Sequence, residues 1–193
     1  NDGVNNYQVN LNVAKWISNN LKLKSTFYSR KTVADYDGSA TDEAGYVSDN
    51  RMYAFQSGLE QLTKNSENNI KFHYHNYDRE YENSGYLDEY YSESFVLKGE
   101  SKIRYNKNLS FGFGSKYKYD SGNFENRGVY NASTNGHVKD FGFFGNFGFK
   151  FNNYQTLSFY GRSNDHNTTS RHETYKINFI QKFDKLNLGV THS

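Results

Sequence analysis

The chain predicts an all-β fold: an antiparallel meander of about ten long strands forming an arc of a transmembrane β-barrel. Three observations lead there. Apolar and polar residues alternate singly through segment after segment. Aromatics make up 18% of the chain although hydrophobics reach only 35%, with 18 Tyr and 16 Phe among them. Tight polar connections fall at Ser18-Asn19-Asn20, Lys64-Asn65-Ser66-Glu67, Asn106-Lys107-Asn108, Asn152-Asn153 and Asp184-Lys185. Between them come longer polar stretches near Tyr36–Asn50, Glu82–Glu89, Ser121–Gly136 and Asn164–Ser170. Short connections at one end of a sheet and long ones at the other give it two unlike ends, as in a barrel with short turns on one side of a membrane.

Strand by strand, the two faces separate cleanly. From Asn6 to Ile17, Tyr7, Val9, Leu11 and Val13 oppose Gln8, Asn10 and Asn12. Leu21, Leu23 and Phe27 then oppose Lys22, Lys24, Thr26 and Arg30. The third strand, about Arg51 to Leu62, sets Tyr53, Phe55 and Leu59 against Gln56 and Glu60; the fourth sets Ile70, Phe72 and Tyr74 against Lys71, His73, His75 and Arg79. In the fifth, Phe95, Leu97, Ile103 and Tyr105 face away from Lys98, Glu100, Lys102 and Arg104. Leu109, Phe111, Phe113, Tyr117 and Tyr119 oppose Ser110, Gly112, Gly114, Lys116 and Lys118 in the sixth. The seventh places Phe141, Phe143, Phe147, Phe149 and Phe151 against Gly142, Asn146, Gly148 and Lys150. Leu157 and Phe159, then Tyr175, Ile177, Phe179 and Phe183, mark the eighth and ninth, and Leu186, Leu188 and Val190 begin a tenth.

A slip of one residue would invert each of these faces, so register is tightly specified. Lysine on the lipid side near the midplane costs about 2–4 kcal/mol, which assigns the apolar face to lipid and the charged face to a lumen. A soluble sandwich or β-helix would bury the apolar face instead; long strands, two unlike ends and Tyr near strand ends speak against it. Tyr28, Tyr36, Tyr46, Tyr77, Tyr81, Tyr90, Tyr119 and Tyr130 are expected to form one interfacial belt. Trp16, Tyr105, Phe151, Tyr154 and Phe183 are expected to form the other, since amphipathic rings suit a membrane boundary. The absence of Pro fits strands that need every N–H.

Composition excludes other classes. Disordered chains are poor in aromatics. No apolar run is long enough for a membrane helix. With 23 basic and 21 acidic residues well mixed, the net charge of +2 shows no block suited to nucleic acid. There are no cysteines, which is compatible with an oxidising folding route. These residues contain no signal-peptide pattern and the strand alternation is still running at Thr191-His192-Ser193, so residues 1–193 are expected to be one partial barrel domain.

Asp2-Gly3-Val4-Asn5-Asn6, leading into an alternating strand, an Asn-rich turn and another alternating strand, resembles the barrel of TonB-dependent outer-membrane receptors. Asn187-Leu188-Gly189-Val190-Thr191-His192-Ser193 is similar to the strand that leads into that family's G-x-R-x-P-x-L-x-E-L motif, before which the chain stops. Asp35-Tyr36-Asp37-Gly38 resembles the Asp-rich outer loop of the cobalamin-transporter branch. The resemblance implies a bacterial outer-membrane location and a 22-stranded barrel closed by a plug domain. On that resemblance the plug and the remaining strands are expected to lie outside residues 1–193. It also implies a lipid surround, a TonB complex reached through the plug, and uptake of a scarce large extracellular ligand such as cobalamin or a ferric siderophore.

The residues themselves nominate few sites. Tyr46, Tyr86 and Tyr130, as loop aromatics, are expected to touch ligand. Asp35, Asp37, Asp42, Glu43 and Asp49 supply hard oxygens that make calcium the candidate cofactor, although they lack an EF-hand spacing. The cobalamin branch uses calcium in this region. His73 and His75 share a face at metal-ligand spacing without a third ligand, and read more simply as lumen-lining residues. Other functions stay open: a diffusion porin or complete small barrel, or a barrel hydrolase using His137, His166 or His172 with Asp120, Asp140 or Asp165. No signature surrounds that last set, and no enzyme is expected.

Overall fold

The computed structural model describes residues 3–35, 46–83, 85–128, 131–183 and 187–192. Ten strands lie side by side in sequence order in one antiparallel sheet. They are β1 (Val4–Ser18), β2 (Leu21–Asp35), β3 (Tyr46–Leu62), β4 (Ser66–Asn83), β5 (Tyr86–Arg104), β6 (Leu109–Arg127), β7 (Ala132–Lys150), β8 (Gln155–His166), β9 (His172–Lys182) and β10 (Asn187–His192). β1 and β10 each pair with a single neighbour, so the sheet is an open arc.

Turn chemistry sets the lower end. Asn106 Oδ1 accepts from the backbone N–H groups of Asn108 and Leu109, both at 2.8 Å. Asn152 repeats the device with Tyr154 and Gln155, again at 2.8 Å. In each case a short amide side chain replaces a missing backbone partner and lets the chain reverse within four residues. Thr63 Oγ1 serves Ser66 N–H in the β3–β4 turn at 2.9 Å.

The upper end departs from expectation. β3 begins at Tyr46 rather than near Arg51, and the stretch Glu82–Glu89, expected to be a long loop, is strand almost throughout. Only residues 84–85 separate β4 from β5, and Gly85 reverses the chain at φ 94°, a conformation open to glycine at little steric cost. Ser121–Gly136 likewise belongs mostly to β6 and β7. Both faces of these segments are polar, so hydropathy could not distinguish strand from loop there. The asymmetry of the sheet therefore lies in strand overhang as well as in the ten-residue connection between β2 and β3: β5, β6 and β7 have 19 residues each, against about 9–11 needed to cross a bilayer.

Burial runs opposite to that of a soluble domain. Among the described residues no hydrophobic side chain is buried, while Asn69 and Ser94 are each only 5% exposed. Phe143 is 58% exposed and Leu97 44%. The polar side is thus the sheltered, concave one and the apolar side the open, convex one. Such a face is stable only against an apolar solvent, as on the outside of a membrane barrel.

Strand tilt is visible in where that apolar band ends. Phe95 pairs with Tyr119, but Tyr119 pairs with Lys139, so a row apolar in β5 and β6 has turned polar by β7. The highest outward apolar residues are Phe141 in β7 and Tyr175 in β9, with Lys139 and Glu173 above them. The band crosses the hydrogen-bonded rows obliquely, as inclined strands in a barrel require.

The two interfacial belts need correction. Leu11, Phe27, Phe55, Tyr74 and Phe95 form one outward row, which fixes the parity of each strand. By that parity Tyr28, Tyr46, Tyr77, Tyr81 and Tyr90 face the lumen, and only Tyr119 of the described upper set faces out. Trp16 also faces inward, opposite Lys22, whose ammonium lies 5.3 Å from its ring centroid. A ring near a strand end suits an interface by hydropathy alone; parity assigns these to the luminal wall.

Two substitutions one residue apart test this assignment. Leu97→Arg places a charge in lipid and is expected to destabilise the protein by about 2–4 kcal/mol in urea titrations in phospholipid vesicles. Val96→Arg, on the luminal face opposite Lys118 and His73, should fall well below that. Gly85→Ala is expected to cost about 1 kcal/mol in the same titration, because alanine resists positive φ.

Candidate functional site at the luminal mouth

The luminal tyrosines converge on one arginine. Arg79 lies opposite Asn50 in β3 and Tyr90 in β5, and Tyr90 lies opposite Phe124 in β6. Its guanidinium carbon is 5.8 Å from the Tyr81 ring centroid and 5.9 Å from that of Tyr90. Tyr90 and Phe124 stand 4.6 Å apart, tilted by 36°. Tyr77 donates its hydroxyl to Asn50 Oδ1 at 2.9 Å, and Asn50 Nδ2 donates to Ser48 Oγ at 3.0 Å, which stiffens the β3 side. Arg79 Nε is buried without a hydrogen-bond partner.

Three adjacent strands thus present flat aromatic faces, hydroxyls and a cation from rigid backbone. Cation–π contacts of this kind hold the guanidinium over the rings and leave its charge directed at the lumen. Such a wall suits a large ligand with planar parts and negative charge, gripped by a few polar groups within apolar surface.

The nominated ligand residues fall partly within this region. Tyr46 and Tyr86 are both register partners of Asn83, in the row nearest the upper rim and on the luminal face. Any side chain at Gly128 would run into the Tyr86 ring, so glycine lets that ring lie against the β6 end. Tyr130 lies outside the described residues. Sequence reasoning puts Arg79 on the polar face but does not single it out; it misses Tyr81 and Tyr90 because rings near strand ends suit a membrane boundary, and Phe124 because it falls in the polar stretch Ser121–Gly136. Their shared parity with His73 and Lys98 was the signal that could have found them.

Of the nominated calcium ligands, Asp37, Asp42 and Glu43 lie outside the described residues. Asp35 and Asp49 are on neighbouring strands and, by parity, on the outward face. Asp49 Oδ2 is held by Arg51 and Lys31, both at 3.0 Å, so two cations already occupy that oxygen. His73 and His75 share the luminal face with ring centroids 5.6 Å apart. No group of three metal-ligating side chains occurs among the described residues.

The set weighed for hydrolysis divides between the two faces. His166 Nε2 is 3.7 Å from Asp140 Oδ1 on the luminal side. By parity His137 and Asp165 point outward, whereas Asp120 is on the luminal face, where register sets Ser94 between it and His75.

A double-mutant cycle tests the arginine clamp. Arg79→Gln and Tyr90→Leu are each expected to lower stability, with a coupling of about 0.5–2 kcal/mol, by urea unfolding in vesicles.

No family model matches the sequence, and no curated protein matches it either. Solved structures do match the fold. The RagAB peptide importer in its open-open state superposes with a TM-score of 0.76 at 10% identity, over 98% of this chain and 32% of that one. The siderophore receptor PirA from Acinetobacter baumannii gives 0.73 at 13% identity, over 98% and 33%. The outer membrane transporter YddB from Escherichia coli gives 0.72 at 9% identity, over 93% and 29%. The chain therefore spans about a third of these structures. It shares with an importer, a siderophore receptor and an outer membrane transporter the fold of a membrane-barrel arc.

Proposed function

We propose that this sheet is part of the barrel of a TonB-coupled receptor in the bacterial outer membrane, taking up a scarce large ligand. A ferric siderophore or cobalamin is the ligand class. Three things support the reading: the inside-out distribution of side chains, the fold shared with importers and receptors, and the sequence resemblance of the first strands. The remaining strands, and a plug through which TonB would act, belong to the rest of the protein in this proposal.

The observation that carries the ligand side is the Arg79–tyrosine wall, which faces the lumen on the overhanging part of the strands. A ligand arriving from outside meets it before the membrane-embedded portion. The aromatic faces contribute area at low entropic cost, and Arg79 contributes a charge.

Cells producing the whole protein are the test, with iron-55-loaded siderophores and radiolabelled cobalamin as the two probes. Arg79→Gln with Tyr90→Ala should weaken surface binding of the true ligand at least tenfold while leaving the amount of folded protein unchanged. Collapsing the proton-motive force should stop uptake and spare binding. Uptake that ignores energy state and saturates only at millimolar solute would indicate a diffusion pore and reject the proposal.

A further inference from the structure

The net charge of +2 conceals a division between the two faces of the sheet. By parity, fourteen Lys and Arg side chains of the described strands face the lumen together with six Asp and Glu, whereas five basic and ten acidic side chains face outward. The luminal face thus carries an excess of eight positive charges and the outward face an excess of five negative ones. The luminal excess is not confined to one spot. It extends from Lys22 on β2 to Lys176 on β9, and from Lys182 near the short turns to Arg79 at the rim.

Pairing within the sheet leaves most of this excess uncompensated. Among the described residues, three luminal Lys or Arg have a carboxylate within ion-pair distance: Lys24 with Glu60 at 2.8 Å, Lys98 with Glu100 at 2.8 Å, and Lys118 with Asp120 at 2.5 Å. Register also sets Lys71, Lys98 and Lys116 side by side on β4, β5 and β6. Side chains directly opposite on neighbouring strands have Cβ atoms about 4.5–5.5 Å apart, and like charges at that spacing repel. A wall of one sign, backed by hydrocarbon, strengthens its own field and destabilises itself until an opposite charge covers it.

Water and mobile ions would leave the repulsion along the Lys71 row only screened. A small anion would meet a few of these cations at one level, whereas the excess spans β2 to β9 and the whole crossing length. A complement of matching extent is a protein surface. We propose that the luminal face is a docking surface for a lumen-filling segment of the same protein whose facing side is acidic, and that charge holds the two together. In the transport reading that segment is the plug, and the inference rests on that reading for the identity of the segment alone. It adds a sign to the contact: Asp and Glu of the segment meet Lys71, Lys98 and Lys116, so salt loosens it. Lysine suits such a contact, because a compact charge on a flexible stem finds a carboxylate without demanding one fixed geometry.

Urea titration of the whole protein in detergent micelles tests this, with Asn146→Cys as reporter in a background free of other cysteines. Asn146 is luminal by parity and exposed in the arc. Without urea the cysteine should react with a water-soluble thiol reagent at least tenfold more slowly than in the denatured protein. It should become reactive at urea concentrations where the barrel still migrates as folded on heat-modifiable gels. Raising NaCl should move the midpoint of that exposure to lower urea. Lys71→Gln with Lys98→Gln and Lys116→Gln should move it the same way and diminish the salt response, while the outward pair Lys31→Gln with Lys139→Gln should leave it in place. A protected cysteine whose midpoint is unchanged or raised by NaCl or by the triple substitution overturns the proposal and leaves the transport reading standing, since both changes relieve a lysine row that faces only water. Fast labelling without urea means an unfilled lumen and overturns the proposal together with the plug. The salt measurement keeps all three lysines, so it decides even where the triple variant does not fold.

Discussion

A peptide group inside hydrocarbon has no water to bond with, so each N–H and C=O that crosses must find a partner within the protein. A sheet meets that demand only if its strands pair along the whole crossing length, and pairing forces successive side chains to opposite faces. Two solvents therefore meet this chain one residue apart. Leu97 faces hydrocarbon while its neighbours Val96 and Lys98 line the lumen. The absence of any buried hydrophobic residue among those described, the burial of Asn69 and Ser94, and the row of Lys71, Lys98 and Lys116 all follow from that single condition.

Pairing continues beyond the need to cross. β5–β7 rise past the apolar band, and there the outward face changes to residues such as Glu89, Glu93 and Glu125 while the inward face gathers tyrosines. Overhanging strands supply something a loop does not: side chains at fixed spacing on a stiff backbone. Arg79 can stand between Tyr81 and Tyr90 because one is two residues along its own strand and the other is its register partner. The glycines of the lower wall use the same regularity in reverse, removing a side chain where Phe144 or Asn164 must lie flat.

Much of this was legible in the sequence. The period-two pattern identified the strands and their two faces. The Asn-rich turns were recognisable from residues whose short amides satisfy backbone N–H groups, as Asn106 and Asn152 do. The upper ends were not legible, because a strand with water on both sides has no hydropathic alternation to betray it; Glu82–Glu89 looked like a loop for that reason. The luminal tyrosines were misplaced because a ring near a strand end suits either an interface or a cavity wall, and only parity within the paired sheet separates the two.

Local chemistry alone determined that this chain makes long antiparallel strands with one apolar and one charged face, since side-chain alternation and turn propensity act over a few residues. Only the tertiary structure decided which residues of different strands meet. Lys71, Lys98 and Lys116 are separated by 27 and 18 positions in the chain and become neighbours through register. Register depends on turn length and bulges accumulated across several hairpins, so the juxtapositions that form the Arg79 wall and the basic luminal row exist only once the arc is assembled.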